Sequence, residues 1–147
     1  MSTILEARNA IMQVVSDGWA ADPLTQNLTL LWDDVQGDAP GHDANGEPVS
    51  YGRCTVRHLL GGEETIGGEG LGKDLQQGQV VVQVFTPKGH GYLTADPIVQ
   101  VVKRFFQRQR FGGDGYFFEV TASEIPSATD WVQVNVVAQF RYEERIP

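Results

Sequence analysis

The chain of 147 residues carries 19 acidic and 11 basic side chains, a net charge of −8, with 41% hydrophobic and 10% aromatic residues. That length fits one domain, residues 1–147, with a radius of gyration of roughly 15 Å, and the apolar share excludes a wholly disordered chain. The acidic balance is wrong for a protein held to nucleic-acid backbones by counterion release, although a local patch such as the basic face of the second helix could still touch phosphates, and Cys54, the single cysteine, excludes an internal disulfide or a zinc-thiolate cluster.

Apolar runs such as Val80 to Val82 are far too short to span a membrane. Residues 1–6 lack the basic and apolar regions of a secretory signal, so the expectation is a protein assembled in a reducing cytoplasm. The charges are segregated: Asp33, Asp34, Asp38, Asp43 and Glu47 fall in a stretch without Lys or Arg, while Lys103, Arg104, Arg108 and Arg110 cluster later. Such segregation suits a hydrated surface or complementary packing between neighbouring copies.

Thr3 and Glu6 read as a capping box, and Ile4, Leu5, Ile11, Met12, Val15 and Trp19 recur at helical spacing until Asp22-Pro23 ends the helix. Leu28, Leu30 and Trp32 alternate as a short strand. Residues 33–50 show no periodicity and read as a long acidic loop. Residues 51–59 predict a strand with Cys54, Val56 and His58 opposite Arg53, Thr55 and Arg57. Residues 61–78, with seven glycines and only Ile66, Leu71 and Leu75 as large apolar residues, predict a long mobile flap between two antiparallel strands.

Val80, Val82 and Val84 mark the next strand, and Thr86 to Gly89 a turn. Asp96 and Pro97 read as the cap and first residue of a second helix, with Ile98, Val101, Val102, Phe105 and Phe106 inward and Gly112-Gly113 as its stop. Residues 116–122 and 131–142 predict two more strands, the last alternating Val132, Val134, Val136, Ala138, Phe140 and Tyr142 with polar residues. The whole is an α+β domain: a mostly antiparallel sheet of about five strands, two helices packed on one face, and the glycine-rich flap.

Residues 67–74 match a phosphate-binding loop up to Lys73. Asp74 then replaces the magnesium-binding hydroxyl, and a strand follows where a helix is required, so a nucleotide-binding enzyme is a minor alternative. His42, Asp43 and Glu47 lack metal-ligand spacing, no Ser lies in a nucleophile elbow, and Cys54 falls on the apolar side of its strand. No catalytic residue, cofactor or metal site is read from this sequence.

The run from Gly78 through Val80, Val82, Val84, Phe85 and Pro87 to Gly91 resembles the central signature of the tail terminator (tail completion) proteins of long-tailed bacteriophages. Trp131 to Tyr142 resembles that family's closing segment, and Trp32-Asp33-Asp34-Val35 its aromatic-acidic turn. The N-terminal helix and an amphipathic helix over residues 97–111 fall where the family has them. The resemblance implies a minor tail protein of the virion, located at the head-proximal end of the tail and assembled in the host cytoplasm. It implies a homohexameric ring that caps the tail tube protein, ends its polymerisation and offers a docking surface to the head–tail connector or stopper. DNA would pass through the lumen without specific binding, and no membrane is involved. A different connector or neck subunit is the alternative. On this reading Trp32, Ile66, Leu71 and Leu75 are the apolar candidates for the subunit and tube interface, with Lys73, Arg104 and Arg108 as the cationic ones.

Overall fold

The computed structural model describes residues 3–32, 42–63, 73–89, 91–126 and 130–145. Helix α1 (Ile4–Ala21) starts as the capping pattern requires, the Thr3 hydroxyl accepting from the Glu6 amide at 3.1 Å. Its buried stripe is Ala7, Ile11, Val15 and Trp19. Ile4 and Leu5, expected in that stripe, are 44% and 67% exposed, because their turn precedes the first core contact at Ala7. Gly18 does not interrupt the helix; the Phe105 ring occupies the space of a Cβ there, its nearest carbon 2.5 Å from that position.

The remaining elements are β1 (Thr29–Trp32), β2 (Tyr51–Glu63), β3 (Lys73–Pro87), α2 (Gly91–Phe106), β4 (Arg110–Phe111), β5 (Gly115–Ile125) and β6 (Trp131–Arg145). They form a six-stranded sheet of order β1-β2-β3-β6-β5-β4, parallel between β1 and β2 and antiparallel elsewhere. The architecture is α+β, with one strand more than expected; the addition is β4, two residues that carry no readable alternation. Cys54, Val80, Val82, Val84, Val134, Val136, Ala138, Phe140 and Tyr142 share one buried cluster with both helices, so the helices cover one face. The opposite face presents half-buried Arg53, Thr55, Gln79, Gln83, Asn135 and Gln139.

Two bulges keep the apolar face in phase. Leu59 is the unpaired residue in β2, between His58 opposite Gly78 and Leu60 opposite Gln77. Glu119 plays that part in β5, between Phe118 and Val120, and adopts φ 51°. The extra residue lets Phe117 and Val120 both pack on the core, although three positions separate them.

Three expectations change. Helix α2 begins at Gly91, so Asp96 is not its cap and Pro97 lies inside it. The missing Pro97 amide leaves the Leu93 carbonyl without a helical donor, and Leu93 is 91% exposed, where water can serve instead. The helix also stops early: Arg108 takes φ 59°, and Gly112 turns the β4–β5 hairpin rather than ending a helix. The flap is shorter than residues 61–78. Gly61 and Gly62 pair with Gln76 and Leu75, and β6 holds β3 from the other side, Lys73 opposite Arg145. Pairing with β3 for Gly61 and Gly62, and with a neighbour on each side for β3 itself, offsets the glycine entropy that the composition alone suggests. Lys73 and Asp74 open a strand and not a helix, as the sequence reading expects after the run that resembles a phosphate-binding loop.

Of the acidic loop, residues 42–50 form a turn in which the Asp43 carboxylate accepts from the Asn45 and Glu47 amides, closed by a bridge between His42 and Pro48. Residues 33–41 of that loop and 64–72 of the flap lie outside the described residues.

Candidate interaction surfaces

The C-terminal turn of α2 stands between two grooves, and Arg104 lines both. One, of ≈ 440 Å³, runs between α1 and α2 past Val14, Asp17 and Phe105. The other, of ≈ 620 Å³, is bounded by Arg104, Gln107 and Arg108 on one side and by Phe118, Glu119 and Val120 of β5 on the other. Arg108 and Glu119 are the two non-glycine residues with positive φ among the described residues, and both line this second groove. A left-handed conformation costs a side-chain-bearing residue on the order of 1–2 kcal/mol. The Arg104 and Arg108 side chains are exposed and make no hydrogen bond or ion pair among the described residues. On the outer sheet face nearby, the Arg141 guanidinium lies 5.1 Å from the centre of the Phe118 ring and reaches the Tyr116 hydroxyl at 3.5 Å.

Apolar exposure collects at the two ends of the strands. The Trp19 indole N–H donates to the Leu28 carbonyl at 2.8 Å, and the Arg8 guanidinium donates to the Val56 carbonyl at 2.6 Å. Helix α1 therefore runs antiparallel to β2, its first turn lying beyond the His58 level. Ile4 and Leu5 thus share an end of the molecule with Leu59 and with Tyr116, which pairs opposite Arg141. Leu24, Tyr92 and Leu93 lie at the other end, beside the Pro87–Trp131 pair that begins the β3–β6 ladder. From Trp131 to Phe140 the strand rise of about 3.4 Å per residue separates the two ends by roughly 30 Å.

His58 ties α1 to the sheet. The Arg8 Nη2 atom is 3.2 Å from His58 Nδ1, and a guanidinium can only donate, so Nδ1 accepts and the neutral ring carries its proton on Nε2. That N–H faces the Tyr142 hydroxyl at 2.8 Å. Burial, helped by the Arg8 charge, holds the imidazole below its ordinary pKa. Burial and the Glu144 carboxylate push Tyr142 up to about 12, against a smaller opposite pull from Arg8. The arrangement is a satisfied polar bridge, and ring contacts with Phe140 and Tyr142 complete its packing.

Of the sequence-chosen interface residues, the structure brings together Arg104 and Arg108. Trp32 stands at the opposite edge of the sheet, half-buried against the core. Leu75 is half-buried in β3, and Lys73 begins that strand. Ile66 and Leu71 lie outside the described residues. Sequence reading passed over Tyr92 and Leu93 because it began α2 at Pro97, and over Leu59 because a bulge leaves no mark in simple alternation.

No protein-family model and no curated protein matches the chain. Its fold does match solved structures. One, of a protein without a descriptive name, aligns with TM-score 0.68 and 15% identity, covering 100% of this chain and 99% of that one. Another is a chain from the virion of a native gene transfer agent (GTA) particle, at TM-score 0.56 and 15% identity, covering 94% of this chain and 98% of that one. At such identity the likeness is one of fold.

Proposed function

We propose that the chain is a structural virion protein, and more specifically a tail terminator. It caps the tail tube, ends its growth and presents a surface to the head-side connector. The observation that carries this reading is the near-complete fold likeness to a virion chain of the GTA particle, both chains matched almost end to end. The distribution of apolar surface supports it: Tyr92 and Leu93 at one end and Ile4, Leu5 and Leu59 at the other offer two separate contacts along one axis. A subunit lying between a tube below and a connector above needs such a pair. On this reading the chain acts by shape and assembly, without turnover of a substrate, and DNA passes through the ring it builds.

The test is to mix the purified chain with self-assembled tail tubes from the same particle and measure tube lengths by negative-stain microscopy. Added chain should arrest elongation and leave density at one tube end. Unrestricted elongation with no end density would refute tube capping. Capture by the portal-side partners alone would favour another neck or connector subunit, a role that the fold likeness supports equally.

A further inference from the structure

We propose that the groove between the end of α2 and β5 receives the acidic segment after β1 from a second copy of this chain. The groove presents Arg104 and Arg108, exposed and unpaired among the described residues, with Lys103 and Arg110 close by in sequence. Glu119 is the one carboxylate among its lining residues. In a chain of net charge −8 such a basic site is conspicuous, and its counterpart is present in the same sequence. Asp33, Asp34 and Asp38 follow Trp32 with no Lys or Arg among residues 33–50. Guanidinium groups pair with carboxylates through two parallel hydrogen bonds, and in a half-desolvated groove such pairs select a partner and fix its register.

The fold decides that the donor is another molecule. Strands β1 and β5 lie on opposite sides of the sheet, separated by β2, β3 and β6. Four inter-strand steps of about 4.8 Å place Trp32 some 19 Å from the groove. The far end of the segment is fixed as well: the His42 ring lies 6.2 Å from the Trp131 ring. That is about 27 Å along β6 from the groove level at Gln139, at 3.4 Å per residue. Ten residue steps from Trp32 to His42 span at most ~35 Å fully extended, less than the path out to the groove and back. A second copy, whose segment is not tethered at both of these points, meets the groove without that stretch.

With the acidic segment at one edge and the basic groove at the other, the contact is head-to-tail: each copy gives its acids to one neighbour and takes acids from another. Repetition closes into a ring or runs on as a filament. The contact is lateral, at right angles to the strand axis along which the apolar ends lie. It deepens the ring reading given above but does not depend on tube capping.

The experiment is a charge swap on the full chain, read by sedimentation velocity at low and high salt. Arg104→Glu with Arg108→Glu, and separately Asp33→Lys with Asp34→Lys, should each weaken self-association by about tenfold or more. The equimolar mixture of the two variants should restore it, since each mismatched edge then meets its complement. Circular dichroism confirms that both variants fold, and a labelled peptide of residues 31–44 should bind wild-type chain and fail to bind Arg104→Glu/Arg108→Glu. Association unaffected by either swap, a mixture no better than its parts, or wild-type chain that stays monomeric and ignores the peptide overturns the proposal. Intact charge pairing beside failed tube capping would refute the terminator reading alone, and the reverse result would refute only this contact.

Discussion

Replacing Gly78 by alanine tests how tightly the β2–β3 ladder is built. A Cβ at this position would stand 2.2 Å from the Arg57 carbonyl oxygen and 2.4 Å from the Phe140 ring. Ordinary contact begins near 3.4 Å, so the strand pair must open by about 1 Å or the ring must leave its place. The ring cannot leave freely, because Phe140 is fully buried against Phe111 and His58. Overpacking of this severity costs about 3 kcal/mol, against which alanine recovers at most ~1 kcal/mol of backbone entropy. The net loss of about 2 kcal/mol corresponds to a melting temperature lower by roughly 4–8 °C for a chain of this size. Urea and thermal denaturation of Gly78→Ala measure it, and adding Phe140→Leu should return only part of the loss, since the carbonyl overlap remains. A Gly78→Ala variant as stable as wild type would mean that Phe140 does not lie over that glycine.

Thr25→Val should cost about 1–2 kcal/mol, because the fully buried Thr25 hydroxyl donates to the Trp19 carbonyl at 2.6 Å and valine leaves that carbonyl unmet; chemical denaturation checks it. His58, with its folded pKa depressed, contributes stability that is complete above the unfolded value of about 6.5 and is lost as pH falls through the folded value. Wild-type melting temperature should therefore fall more steeply below neutral pH than that of His58→Gln, and parallel profiles would contradict the bridge. Leu93→Ser should leave stability within about 0.5 kcal/mol, since Leu93 is 91% exposed, yet should reduce end-binding to tail tubes; loss of stability instead would show that the residue packs internally.

The sheet and its inward face were readable wherever residues alternate over a long strand. Val80, Val82 and Val84, and the run from Val132 to Tyr142, announce one dry face without outside help. Bulges were not readable, since a residue such as Glu119 enters the pattern only through the backbone it adopts. The start of α2 was misread because Asp96-Pro97 is an excellent local helix opening; the exposed turn from Gly91 tolerates proline within it, and tertiary placement overrode the local signal. The two ends of the glycine-rich stretch depart from expectation in the opposite sense. Their composition speaks against order, yet residues 61–63 pair with β3, and β6 lies alongside residues 73–78 and supplies a partner that composition cannot reveal. Arg104 and Arg108 were visible as a helix-borne charge cluster, but the groove beside them depends on β5, distant in sequence.

Among the described residues, strand β1 is the edge strand that runs parallel to its neighbour. Had it run the other way, a two-residue hairpin could have joined it to β2. Running as it does, the polypeptide leaves Trp32 at the wrong end and must travel back to Tyr51, a return that takes a dozen residues or more in known proteins. The eighteen residues 33–50 are thus mostly a demand of strand direction. Shortening them would threaten the fold before it touched any partner, whereas exchanging Asp33, Asp34 or Asp38 keeps that length, so evolution could retune the strength of subunit association there by charge alone.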